Sequence, residues 1–219
     1  MRLAAVNVGT PTLLATVRDE RVWSGIRKRP VDQSAMLWLS ALNLAGDGQA
    51  DLTVHGGVDK AVYAYPSEHL PRWAQELDED DLGPAPFGEN LSTIGVSETD
   101  VHIGDRWTWG AAVLEVSQPR WPCFKLVLHR GRADIQAQMR STGRTGWYLR
   151  VVEPGEVPAA GPIIVTAEDA ARVSVHDAHL AMNDVHLDAV ERVRAVAGHP
   201  ALAEQWRGPL LARLEHHGD

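Results

Sequence analysis

The chain alternates between short runs of apolar or β-branched residues and clusters of Gly, Pro, Asn and Asp, a pattern that predicts many strands and few long helices. The runs are Leu3–Val8, Leu13–Val17, Val22–Ile26, Met36–Leu44, Ala61–Tyr65, Trp107–Val116, Trp147–Val152 and Ile163–Thr166. Turn-forming residues separate most of them, which suggests a barrel or a strongly curved sheet. Two helices interrupt the series: Ser67 is placed to cap one running to about Leu77, and a second falls between Phe124 and Arg140 and is closed by Gly143. After Thr166 the period changes. Ser174 can cap a helix through Met182, and Leu187–Ala197 has helical spacing and ends at Gly198. Pro200 suits the first position of a run to His217 that Gly208 and Pro209 interrupt. The expected architecture is a mostly β unit over residues 1–166, β-barrel-like with a few helices, followed by a small three-helix unit over residues 167–219.

Composition adds limits. With 219 residues, 44% of them hydrophobic, the chain can bury one sizeable core. The uncharged stretch Gln33–Gly46 has fourteen residues and contains Ser and Asn, short of the roughly 18 apolar residues of a membrane span. The start, MRLAAVNVG, has too short an apolar run for a secretory signal. These features predict a cytoplasmic protein with no membrane partner.

A net charge of −8 argues against binding a nucleic-acid polymer, because phosphate affinity comes from clustered Lys and Arg. The charge is uneven, however. Between Arg106 and Arg150 eight basic residues face two acidic ones, Glu115 and Asp134. That local +6 is either a solvated face or an attractor of anions. The acidic tract Asp78–Asp81 reads as an exposed loop.

The only cysteine, Cys123, lies in the basic segment within "SQPRWPCFKL". One cysteine makes no internal disulfide, no CxxC pair and no thiolate zinc cluster, so the thiol is either inert filler or a reagent. Its cationic surroundings and its place before a helix favour the thiolate. The stretch "GDGQADLTVHGGVDKAVYAYPSEHLPRW", Gly46–Trp73, reads as a turn-rich cradle in which Gly56 and Gly57 permit a close approach, flanked by His55, Asp59 and Lys60. It matches neither a Walker loop nor a G-x-G-x-x-G fingerprint, and by itself it could be a tight hairpin corner. Six of the ten histidines fall in the tail at spacings that match no zinc motif, which predicts surface positions. The tail carries no group assigned to chemistry.

Five ordered motifs carry a resemblance: the Gly46–Trp73 stretch, "FGENLSTIGV" (Phe87–Val96), "VHIGDRW" (Val101–Trp107), "SQPRWPCFKL" (Ser117–Leu126) and "STGRTGWYLRVVEPGEV" (Ser141–Val157). In this order they resemble the MOSC domain family, and its YiiM-type branch in particular, from about Ser24 to Thr166. The helical tail is similar to the three-helix extension of that branch. The resemblance implies a β-barrel domain that binds the molybdenum cofactor, a pterin dithiolene carrying a phosphate. It places on Cys123 the thiolate that ligates molybdenum or carries sulfur, a soft ligand suited to such a metal. It makes Lys28, Arg120 and Arg144 candidates for the phosphate, and Asn90, Gln118 and His55 candidates for the pterin edge or the metal's surroundings. Trp107, Trp109 and Trp147 read as core, whereas Trp121, beside the thiol, could stack on a planar substrate.

The activity implied is reduction of small N-hydroxylated compounds, such as hydroxylamino purines, by oxygen removal. No flavin or iron–sulfur motif is present, so a separate reductase would supply electrons. A sulfur-carrier or cofactor-delivery protein using a Cys123 persulfide, and a redox sensor without cofactor, stay open at this point. Monomer and homodimer are both open as well.

Overall fold

The computed structural model describes residues 1–52 and 56–217; His55 lies outside them. The strands are β1 (Arg2–Val8), β2 (Thr12–Val17), β3 (Glu20–Ser24), β4 (Arg29–Pro30), β5 (Met36–Leu39), β6 (Val62–Pro66), β7 (Leu91–Ile94), β8 (Arg106–Trp109), β9 (Ala112–Pro119), β10 (Trp147–Glu153), β11 (Gly155–Pro158) and β12 (Ile164–Ala167). The helices are α1 (Leu70–Leu77), α2 (Phe124–Arg130), α3 (Ile135–Thr142), α4 (Val175–Asn183), α5 (Val190–Ala197) and α6 (Glu204–His217).

Eight strands form one curled sheet in the order β12-β8-β9-β10-β6-β7-β1-β4, with β6 and β7 parallel and the other neighbours antiparallel. The curl almost closes. Leu3 N donates to Gly161 O and Ile163 N to Met1 O, so the segment leading into β12 meets the start of β1. The β-barrel-like core and three-helix tail are as expected. Because α1, α2 and α3 lie against the sheet as well, the fold is mixed α/β.

Alternation along the strands sets the two cores. In β6, Val62 and Ala64 face the barrel interior, while Tyr63 and Tyr65 face a second cluster with Trp73, Phe87, Leu126, Ile135 and Met139 under α1–α3. The expected run Trp107–Val116 is two strands, β8 and β9, turned at Gly110, where φ is +58°. The run Met36–Leu44 ends as a strand at Leu39, because the Ser40 hydroxyl accepts from Leu42 N and Asn43 N and closes a turn.

Several details of the helices differ from the expectation. Ser67 caps nothing: Ser67–His69 is a 3₁₀ turn leading into α1, and the Ser67 hydroxyl is buried without a partner. The segment 124–140 holds two helices, with Gly131 and Gly143 each in the left-handed region at its helix's end. Ser174 does cap α4, its hydroxyl accepting from Asp177 N. Pro200 precedes α6, which starts at Glu204 and runs through Gly208 and Pro209 unbroken. Two tail histidines are buried: His179 Nε2 lies 2.7 Å from Arg140 O, and His199 Nε2 lies 3.0 Å from Asp169 Oδ1. Among the described residues no three His, Cys, Asp or Glu side chains are grouped to hold a metal ion, and no helix is long and apolar enough to cross a membrane.

The tail shares the barrel's core. Val193, Val196, Leu202, Trp206 and Leu210 belong to the same cluster as Trp107, Leu114 and Trp147, and Ala203 N donates to Ser117 O of β9 at 3.0 Å. Burying five such side chains contributes on the order of 10 kcal/mol, comparable with the whole net stability of a domain. A chain ending at Thr166 is therefore expected to lose fixed packing. Near-UV circular dichroism checks this: the aromatic signal of the full chain should vanish in the truncated one.

Candidate functional site

The polypeptide builds one large cavity of about 390 Å³ where the sheet, the Gly46–Lys60 loop, α2 and the tail meet. Its floor comes from strand register. Tyr148 of β10 stands opposite Gln118 of β9 on one side and Tyr63 of β6 on the other, so the three side chains form a row across neighbouring strands. The Tyr63 and Tyr148 rings lie 5.1 Å apart, and each carries a cation: Arg120 is 5.2 Å from the centre of Tyr63, and Lys60 is 5.7 Å from the centre of Tyr148.

Arg120 is the most informative group. It is 5% exposed. Its Nη1 donates to Met139 Sδ at 3.2 Å, and among the described residues no carboxylate lies within ion-pair distance of it. A guanidinium this buried costs several kcal/mol to desolvate, and the cation–π contact returns about 2. Tyr63, Tyr148 and Cys123 around it offset that cost and raise its pKa, so the pocket keeps a cation that a negative group can join. Cys123 lines the same cavity at the N-cap of α2, forms no disulfide, and is close enough that a thiolate there would act on both Lys60 and Arg120.

The other expected residues divide into two groups. Lys28, Asn90 and Gln118 line the cavity with Arg120 and Cys123. Lys28 is ion-paired with Asp47; burial lowers its pKa, and Asp47 opposes the shift. Asn90 is occupied by the fold: its Oδ1 accepts from Tyr63 N, and its Nδ2 donates to Asn7 O and Asp47 Oδ2. Gln118 is 1% exposed, and among the described residues its Oε1 has no hydrogen-bond partner, so it is an acceptor in wait for a donor. Arg144 lies outside the cavity. Its Nη2 donates to Glu76 Oε2 at 2.5 Å and its guanidinium stacks 4.2 Å from the centre of Trp73. Half of the local +6 is neutralised from outside the segment, by the pairs Arg144–Glu76, Arg130–Glu79 and Arg150–Asp59, whereas Arg106–Glu115 and Arg132–Asp134 pair within it.

Several site residues were not singled out by the sequence. Asp47 is a hub, accepting from Gly9 N, Lys28 and Asn90. Tyr63 and Tyr148 were read as ordinary strand residues, although their place opposite Gln118 follows once β9 and β10 are paired. Met182, Gln205, Trp206 and Pro209 bring the tail into the cavity wall. The close approach expected at Gly56 and Gly57 is internal: Gln49 Oε1 accepts from Gly57 N, and a Cβ at Gly56 would lie 2.2 Å from that same oxygen. Gln49 Nε2 then donates to Leu42 O and Lys60 O, which fixes the loop carrying Lys60.

Glu89 sits behind the cavity, 1% exposed, accepting from Phe87 N and the Ser92 hydroxyl. Burial raises its pKa from 4.5 to about 7. An acid raised in the folded state binds its proton more tightly there, so stability falls as pH rises from about 4.5 to about 7. The apo protein is expected to lose on the order of 3 kcal/mol over that window. Glu89→Gln should flatten the profile and be more stable at pH 8, which urea titrations at pH 5 and pH 8 would show.

This site fits the group implied by the resemblance. A soft sulfur, cationic side chains around a buried floor and an acceptor without a donor match a metal dithiolene, a phosphate and a pterin N–H respectively.

Comparison with known proteins gives the family. The family model for the MOSC domain matches residues 51–172. The chain is 42% identical to Protein YiiM of Escherichia coli (strain K12), covering 87% of this chain and 84% of that protein. It superposes on the crystal structure of YiiM from Geobacillus stearothermophilus with a TM-score of 0.80 at 29% identity, covering 97% of this chain and 98% of the other. A protein of Gibberella moniliformis (strain M3125 / FGSC 7600) named "Reductase" is 40% identical over 55% of this chain and 22% of its own length. With more than half of its length matched by the family model and full-length similarity to YiiM proteins, the chain belongs to the MOSC domain family, in its YiiM-type branch.

Proposed function

We propose that this protein is a molybdenum-cofactor-dependent reductase that removes oxygen from small N-hydroxylated compounds, hydroxylamino purines among them. The observation that carries the reading is Arg120, a buried guanidinium without a carboxylate partner among the described residues, in the same cavity as Cys123. Family membership and the relative named as a reductase support it.

When bound, the cofactor supplies an oxygen acceptor and a store for two electrons. The rest falls to this chain's residues. The Cys123 sulfur would hold the metal, Arg120 and Lys125 would meet the phosphate, and Gln118 Oε1 would accept a pterin N–H. Lys28, already paired with Asp47, shapes the wall and tempers the charge. The net reaction, R–NHOH with two protons and two electrons giving R–NH2 and water, requires a proton source at the departing oxygen. Lys60 Nζ lines the cavity, and burial lowers its pKa, which eases release of its proton. The electrons come from a separate reductase.

The test is expression in cells able to make the cofactor, followed by molybdenum and pterin analysis and by reduction of 6-hydroxylaminopurine with a reduced viologen. Near-stoichiometric molybdenum with amine formation is expected. A Cys123 persulfide without metal would replace this reading with sulfur transfer.

A further inference from the structure

Glu89 is a buried acid that the proposed chemistry leaves unused. Its turn runs along the cavity: Phe87, Gly88 and Asn90 line it, whereas the Glu89 side chain lies behind. Gly88 makes the turn possible. Its φ is +80°, and a Cβ there would lie 2.5 Å from Ile26 Cγ1. The Glu89 carboxylate accepts from Phe87 N at 3.1 Å and from the Ser92 hydroxyl at 3.3 Å, and Ser92 Oγ accepts in turn from Asn7 Nδ2 at 3.2 Å. All of these donors are neutral. Among the described residues no Lys, Arg or His nitrogen lies within ion-pair distance of Glu89. Neutral donors balance a buried negative charge only in part, so its ionised form depends on cations farther away.

The charged and titratable groups that face Glu89 are Arg120 after β9, Lys28 after β3, and Tyr63 and Tyr65 of β6. The tyrosines give no help. Their hydroxyls donate to Thr145 O and Arg144 O, and burial holds both neutral by pushing their pKa values well up. Lys28 is already shared with Asp47. Arg120 is the cation that favours the ionised carboxylate, and it is also the cation that a negative ligand in the cavity would join. One guanidinium therefore faces two anions. A ligand that joins it weakens the field holding Glu89 ionised and adds repulsion of its own. Burial already brings the Glu89 pKa to about 7, so a modest change in that field moves its proton at neutral pH.

We infer that Glu89 is the exchangeable counter-charge of the cavity: it is ionised above neutral pH while the cavity holds no anion, and it takes up a proton from solvent when an anion joins Arg120. The step is a proton transfer alone, with no bond to the ligand formed or broken. It applies to any anion that reaches Arg120 and does not depend on the reductase reading. The sign follows from linkage. Below about pH 6 Glu89 is neutral with or without the ligand, whereas above about pH 8 a ligand must bring a proton or face the carboxylate, so affinity for anions falls as pH rises between them.

The experiment uses the cofactor-free full chain and sulfate, a dianion that does not titrate near neutral pH. Sulfate affinity is measured at pH 6 and pH 9, at constant ionic strength, from the fluorescence of Trp121 and Trp206, which line the cavity. Proton uptake on binding is measured at pH 7.5 with a pH indicator in weak buffer. The variant is Glu89→Gln, whose amide can accept from Phe87 N and donate to Ser92 Oγ. Cys123, Lys28 and Lys60 also titrate beside the anion, but they do so in both proteins, and Glu89 is read from the difference between them. A sulfate that raises the Glu89 pKa by about one unit would cost the wild type about tenfold more affinity between pH 6 and pH 9 than Glu89→Gln, and would bring about half a proton more per sulfate. The wild type alone gives a second reading: in urea titrations with saturating sulfate, the upper end of the stability loss should move from about pH 7 to about pH 8. Equal proton uptake and equal pH dependence in the two proteins would overturn the inference, as would an unmoved stability window or a wild-type chain that binds no sulfate.

Discussion

Cys123→Ser is expected to abolish reduction of N-hydroxylated compounds while the chain stays folded. The side chain is only partly buried at the N-cap of a short helix, and serine is itself a favoured N-cap residue, so the backbone loses nothing there. The chemistry loses its soft ligand: a serine hydroxyl is hard and stays protonated where a thiol would ionise and bind. The expected fall in kcat is on the order of 10³-fold or more, about 4 kcal/mol of transition-state stabilisation. Some cofactor should remain, held by the cations of the cavity. Steady-state turnover alongside molybdenum content separates the two effects. A serine variant with wild-type turnover would contradict thiolate ligation.

Arg120→Met should have opposite effects on the two forms of the protein. In the cofactor-free chain the substitution removes a buried cation that no carboxylate balances and keeps a flexible apolar stem beside Met139 and Tyr63. Desolvation then outweighs the lost cation–π contact, and the variant should be more stable by about 1–2 kcal/mol. In the loaded protein the phosphate loses a charge-assisted hydrogen bond of about 1.5–3 kcal/mol, so cofactor occupancy after dialysis should fall by about tenfold or more. Chemical denaturation of the apo forms and pterin analysis of the purified proteins read the two effects separately. A destabilised apo variant with full occupancy would mean that Arg120 is a structural residue and binds no anion.

What the sequence made legible was mostly local. Strand runs such as Leu3–Val8 and Leu13–Val17, the Ser174 cap and the left-handed glycine at 143 are set by neighbours a few residues apart, and they appear where the pattern puts them. Cys123, Arg120 and Gln118 lie within six residues of one another, so a single motif brought them to one cavity. Arg144 shows where counting charge along the chain stops working. Its partner Glu76 is 68 residues away on α1, and only the packing of that helix reveals that the cation is already neutralised. The same holds for Lys28 and Asp47, 19 residues apart, and for Asn90, whose side chain serves Tyr63, Asn7 and Asp47.

The tail's share in the cavity wall was missed for a related reason. Helical periodicity identifies an apolar face but not the surface it covers, so Trp206 gave no sign that it would meet Trp121 across the cavity. His179 and His199 were expected at the surface because their spacings suit no metal. Burial had a different cause: each ring found polar partners, Arg140 O and Asn183 for His179 and Asp169 and Ala201 N for His199, which makes an interior histidine tolerable. Pro209 was read as a helix breaker. Only the carbonyl at Gln205 loses its intrahelical donor there, and that residue faces the cavity's open side, where the loss costs little.

The central claim is that the Cys123 sulfur binds molybdenum inside the Tyr63–Tyr148–Arg120 cavity. X-ray absorption at the molybdenum edge of loaded wild type and loaded Cys123→Ser tests it most directly. The account predicts one more sulfur neighbour to the metal in wild type than in the serine variant, with the dithiolene pair common to both. Equal sulfur counts in the two proteins, at equal molybdenum content, would contradict it.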